Sequence, residues 1–195
     1  NPAIILADGV IGQMMEKVVL PAQKPRRTDA EVIEQCPWAT TGRTHHRTPN
    51  IITSLELDPA EMEKRNIHLQ KKYAEIEENE VRFEELHCED SEYLIVAFGS
   101  CARIAQKAME MAREEGIKVG LLRPITLWPF PSKAIAARAA QVKGILTVEL
   151  NAGQMVEDVR LAVKCKVPVE HFGRLGGIVP DPDEVITALK EKLIK

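Results

Sequence analysis

The chain has 195 residues, is 45% hydrophobic but only 4% aromatic, and carries a formal net charge of −3. That length holds one or two domains with a core of aliphatic side chains and methionine. No basic patch interleaves with aromatics, which argues against a nucleic-acid surface, and no apolar run approaches the roughly 18–20 residues that a membrane-crossing helix needs.

Residues 3–7 (AIILA) predict a buried strand. The apolar stretch is too short for a signal peptide and has no basic flank. Asp8-Gly9 then predicts a turn, and residues 10–19 a helix. One strand and one helix cannot close a core. Residues 1–20 are therefore expected to be the remnant of an upstream domain, with a strand edge that pairs with another copy or leans on the C-terminal domain. From residue 20 to 50, Pro21, Pro25, Pro37 and Pro49 interrupt a stretch of little periodicity that includes Lys24, Arg26 and Arg27. Such a stretch is natural between domains. Residues 21–91 are expected to be an interdomain linker with a long helix at about 59–79. Asp58 is its N-cap, Pro59 its first residue, and Met62, Leu69, Tyr73 and Ile76 its apolar stripe. The acidic stretch 75–85 reads as a solvated face.

Residues 92–195 form the second domain. Four short runs recur in it: 93–98 (YLIVAF), 117–122 (IKVGLL), 145–150 (ILTVEL) and 167–172 (VPVEHF). The first three are almost continuously apolar, as in strands covered on both faces. Pro168 and the alternation of the fourth predict an edge strand. Helical patterns lie between and after them, at 102–115, 132–141, 154–164 and 182–193. Asp181 and Pro182 suit the cap and first residue of the last helix, and Ser132 is a candidate cap for the second. Strand–helix alternation of this kind predicts an α/β fold of three layers, a mostly parallel open sheet with helices on both faces and right-handed crossovers.

No two of Cys36, Cys88, Cys101 and Cys165 form a CxxC pair, so the cysteines read as reduced thiols of a cytoplasmic protein, and no metal or cluster site is expected. Gly99-Ser100 ends a strand before a helix, where open sheets bind ligands. Without a phosphate-cradling glycine loop or a GxSxG elbow, Ser100 reads as an N-cap. Cys101 reads as a buried or capping thiol. Glu149-Leu150-Asn151-Ala152-Gly153-Gln154 puts a carboxylate at the end of a central strand. A buried carboxylate requires partners, so Glu149 is either a structural group or one that faces a subunit interface. Arg174 with Gly176-Gly177 is a solvated loop or a partner contact. His45-His46, beside Arg43 and Arg47, reads as a solvated loop. The interface or active-site-facing set is thus Ser100, Glu149, Asn151, Gly153, Gln154, Arg174 and Gly176, with no catalytic, cofactor-binding or metal-binding residue expected.

Several segments in order resemble a known family. They are Ala7-Asp8-Gly9-Val10-Ile11-Gly12-Gln13-Met14-Met15-Glu16, Trp38 and Gly42, the helix after Asp58-Pro59, Phe98-Gly99-Ser100-Cys101-Ala102-Arg103, Leu122-Arg123-Pro124 through Trp128-Pro129-Phe130-Pro131, Val148 to Met155 with Asp158-Val159-Arg160, and Phe172 to Gly177. Together they resemble the α subunit of 2-oxoacid:ferredoxin oxidoreductases, of the 2-oxoisovalerate or 2-oxoglutarate type. The resemblance implies a C-terminal fragment with a transketolase C-terminal-like domain after a pyrimidine-binding domain. It also implies an anaerobe's enzyme that uses thiamine diphosphate, Mg²⁺, iron–sulfur clusters and CoA, with ferredoxin as acceptor. The family's cofactor-activating glutamate would lie upstream, and the diphosphate and Mg²⁺ site on a partner subunit.

The expectation is an assembly and active-site-shaping region that binds no cofactor by itself, is inactive alone and works with partner subunits, self-association through subunit pairing included. The alternative is a free-standing nucleotide- or anion-binding, or dimerisation, α/β module.

Overall fold

The computed structural model describes residues 2–39 and 51–194. Gly42, Arg43, His45, His46 and Arg47 lie outside the described residues. The chain divides into two units: Asn1–Met14 with Tyr73–Lys195, and Met15–Lys72.

In the first unit, residues 2–8 are extended but join no sheet, and α1 is Gly9–Gln13. Asp8 caps it, accepting from the Ile11 N–H at 2.8 Å. The expected strand at 3–7 and the helix to residue 19 do not form. A strand requires a neighbour for its ladder, and Ile4 and Ile5 lie 84% and 94% exposed.

Five strands order as β1-β3-β2-β4-β5: β1 (Phe83–Leu86), β2 (Tyr93–Ala97), β3 (Val119–Pro124), β4 (Gly144–Glu149) and β5 (Val169–Gly173). All pairs are parallel except β1 with β3. The edge position of β5 follows the sequence expectation. Strand β1 was not anticipated: FEEL lacks an apolar run, and its register comes from pairing Leu86 with Leu121 and Glu84 with Arg123. The bidentate pair between Arg138 and Glu85 also ties it to a helix on the sheet.

The period-2 alternation of β2 divides the core. Ile95 and Ala97 pack with helices α4 (Gly99–Glu114) and α7 (Pro182–Leu189) on one face. Leu94 and Val96 pack with α5 (Ser132–Ala139) and α6 (Met155–Val163) on the other. This is the expected three-layer α/β sheet, and two-sided cover explains the continuous apolar runs. Asp181 and Glu184 form a reciprocal capping box, with Pro182 opening α7 as expected. A π-turn at Lys190–Ile194 ends that helix earlier than its pattern predicts. Neither Ser100 nor Ser132 is a cap: Phe98 and Pro131 hold those positions without side-chain hydrogen bonds.

In the second unit, the proline-rich stretch contains a helix that its breakers obscured, α2 (Asp29–Gln35), opened by a Thr28–Glu31 capping box. The long helix α3 (Pro59–Asn79) begins in this unit, with Asp58 accepting from the Ala60 N–H. From Tyr73 onward α3 belongs to the first unit, where Tyr73 meets Trp128 edge to face at 5.8 Å.

Candidate functional site

Strand β2 has β3 on one side and β4 on the other, so the direction of the crossovers reverses between β2 and β4. In open parallel sheets the gap beyond the carboxyl ends of two such strands is where ligands bind. Here those ends are Phe98-Gly99-Ser100 and Glu149-Leu150-Asn151. A half-open cavity of about 240 Å³ lies there, flanked by Leu6, Ala7, Asp8 and Ile11 of the N-terminal segment, of which Leu6 is 72% exposed.

Gly99 has φ of 57°, a left-handed turn that suits glycine, and it brings the chain from β2 into α4. The Ser100 hydroxyl donates to Asp8 Oδ2 at 2.6 Å across 92 residues of sequence. That bond is the main cause holding the Asp8 carboxyl below the usual carboxylate range. The neighbouring Cys101 thiol is pushed up to about 11, first by burial and then by the Glu149 and Asp8 carboxylates, so it is protonated and unreactive at neutral pH.

Glu149 is 1% exposed. Its carboxylate accepts the N–H groups of Gln154, Met155 and Val156 at 3.2, 2.8 and 3.0 Å. The N-cap of α6, Gln154, contributes no side-chain bond, so a strand-end carboxylate reaches across the turn to fill that role. The orphan donors of a helix start and its positive dipole end satisfy a charge that would otherwise be costly to bury. Asn151 Oδ1 accepts from the Gly153 N–H at 2.7 Å, and Gly153, at φ of 114°, lets the turn close.

Of the sequence-selected set, Ser100, Glu149 and Asn151 meet at the cavity, with Gly153 and Gln154 in the turn behind Glu149. Arg174 is drawn away to Glu184 of α7 at 3.0 Å, and Gly176 is exposed beyond it. Two residues were missed. Asp8 carried only a turn signal, and nothing local marked its pairing with Ser100. His171, whose Nε2 stands 3.7 Å from Glu149 Oε1, looked like a surface residue of an edge strand.

Residues 91–185 match the family described as pyruvate:ferredoxin oxidoreductase core domain II. A curated relative, the ketoisovalerate oxidoreductase subunit VorB of Methanothermobacter thermautotrophicus, is 44% identical over 98% of this chain and 52% of its own length. The chain thus spans about half the length of the relative it matches. Among solved structures, a 2-oxoglutarate:ferredoxin oxidoreductase from Magnetococcus marinus is 25% identical, with a TM-score of 0.64 over 76% of this chain and 28% of its own. A split-gene transketolase at 20% identity and a TM-score of 0.50, covering 58% and 41%, shares the fold. Residues 91–185 are thus similar to that core domain, and the structural neighbours agree with the α/β, transketolase C-terminal-like fold just described.

The residues present do not fit thiamine diphosphate with its metal. Among the described residues no three His, Cys, Asp or Glu side chains converge for a cation. The cavity's charged side chains, Asp8 and Glu149, are both acidic and would repel a diphosphate.

Proposed function

We propose that this chain is the C-terminal part of the α subunit of a thiamine-diphosphate-dependent ketoisovalerate:ferredoxin oxidoreductase. In that reading the complete cytoplasmic complex of an anaerobe decarboxylates a branched-chain 2-oxoacid oxidatively to an acyl-CoA. Thiamine diphosphate, Mg²⁺, iron–sulfur clusters and CoA are held by other parts of the assembly. This chain shapes and assembles the site, and it is inactive alone. Residues 1–20 complete an upstream domain, 21–91 link it, and 92–195 dock on partner subunits.

The observation that carries the reading is the 44% identity along nearly the whole chain to a ketoisovalerate oxidoreductase subunit. The docking role is supported by exposed Ile125, Trp128, Leu175 and Ile178, which follow the carboxyl ends of β3 and β5. The rival nucleotide-binding module has no comparable support, because acidic side chains stand where its phosphates would sit.

The test is reconstitution of the complete subunit with its partners. CoA-dependent viologen reduction is expected with 3-methyl-2-oxobutanoate in preference to 2-oxoglutarate, and none with this chain alone. A complex with intact clusters that reduced viologen with neither 2-oxoacid would refute the proposal. Tight binding of a nucleotide by this chain, measured calorimetrically, would favour the rival.

A further inference from the structure

The cavity between β2 and β4 has a chemistry opposite to that of an anion site. Leu6, Ile11, Phe98 and Leu150 give it apolar walls. Among the described residues, its ionisable side chains other than Cys101 are the carboxylates of Asp8 and Glu149, and no lysine, arginine or histidine lines it. Glu149 is occupied by three backbone N–H groups, whereas Asp8, which accepts from the Ser100 hydroxyl and the Ile11 and Val10 N–H groups, keeps acceptor capacity. About 240 Å³ is below the span common for drug-sized ligands, which selects a molecule of a few heavy atoms.

We propose that this cavity binds a compact aliphatic primary amine, its ammonium on Asp8 and its branched tail against Leu6, Phe98 and Leu150. The proposal goes beyond the oxidoreductase reading above and requires that residues 6–11 stay against the ends of β2 and β4. Opposite charge selects the amine over the isosteric carboxylate, and the apolar walls select a branched hydrocarbon over a hydrated ion.

The probes are isobutylamine, isobutanol and isobutyrate, which share a tail and differ in head-group charge. They are titrated into the full chain near neutral pH and followed by the backbone amide signals of Gly99, Ser100 and Asn151. Isobutylamine is expected to shift them saturably, with a dissociation constant on the order of 1 mM, and isobutyrate to bind at least about tenfold more weakly. Asp8→Asn keeps one acceptor oxygen for the Ile11 N–H, puts an NH₂ that can donate to the Ser100 hydroxyl in place of the other, and removes the charge; it should weaken the amine about tenfold. Ala7→Leu fills the cavity and should abolish the response with the charge intact. Asp158→Asn, an exposed acid on α6, should change nothing. Isobutyrate binding as well as the amine, no saturable response to the amine, or undiminished amine binding in either Asp8→Asn or Ala7→Leu would overturn the proposal.

Discussion

Glu149 shows how one buried charge can organise a turn. Its side chain is shielded from water and satisfied by three N–H donors, each of which is strengthened by the charge. Glu149→Gln keeps the shape but replaces one acceptor oxygen with an NH₂ that faces those donors. A loss of about 1.5–3 kcal/mol in urea unfolding is expected, and an unchanged midpoint would contradict this account. The Asp8–Ser100 bond is of another kind, because Asp8 is only partly buried. Its contribution is worth at most about 1 kcal/mol after solvent screening. Its sign follows from the direction of the shift. The folded Asp8 carboxyl is held low, so the bond contributes fully above the ordinary carboxylate range. The contribution fades as pH falls through the lower, folded value. Protection of the Ile11 amide, relative to its intrinsic exchange rate, should therefore fall only in acid, and Ser100→Ala should bring that fall to higher pH.

Among the elements, β1 is the one most dependent on its surroundings. Four residues on the edge of a sheet have little stability of their own, and two of them are glutamates. Its attachment rests on the ladder to β3 and on the two-pronged Glu85–Arg138 pair, at about one-fifth side-chain exposure on each partner. Glu85→Gln should leave the domain folded while raising amide exchange at Leu86 more than at Leu121's other neighbour, Ile95. Equal protection before and after the change would show that the ladder alone holds the strand. The capping box of α7 and the Pro182 start were legible in sequence because a cap is a contact of three residues' reach. The capping box of α2 was equally local, but its seven residues were lost among prolines that signalled an extended chain. Ser100 shows the limit of such rules. It has the right type and place for a cap, yet Gly99 starts α4 one residue earlier, and the hydroxyl turns to Asp8.

At the scale of the whole molecule, residues 73–194 behave as a sheet between two helical layers, and the core is shared by both faces. Leu94 is fully buried on the side of α5 and α6. Leu94→Ala should cost about 2–5 kcal/mol in a single cooperative transition of that unit, read by circular dichroism in urea. A loss well below that range would mean the second layer is not tightly packed. The sequence by itself determined the layered parallel sheet, the edge position of β5, and the start of α7. Periodicity, prolines and caps are local signals, and strands buried on both faces must be apolar throughout. The strand order, the pairing of β1, the anchoring of Asp8 on Ser100 and the seating of Glu149 on α6 were decided only by tertiary structure. Each joins groups whose proximity depends on how the chain returns on itself, and hydrogen bonds across 92 residues leave no period for a sequence to display.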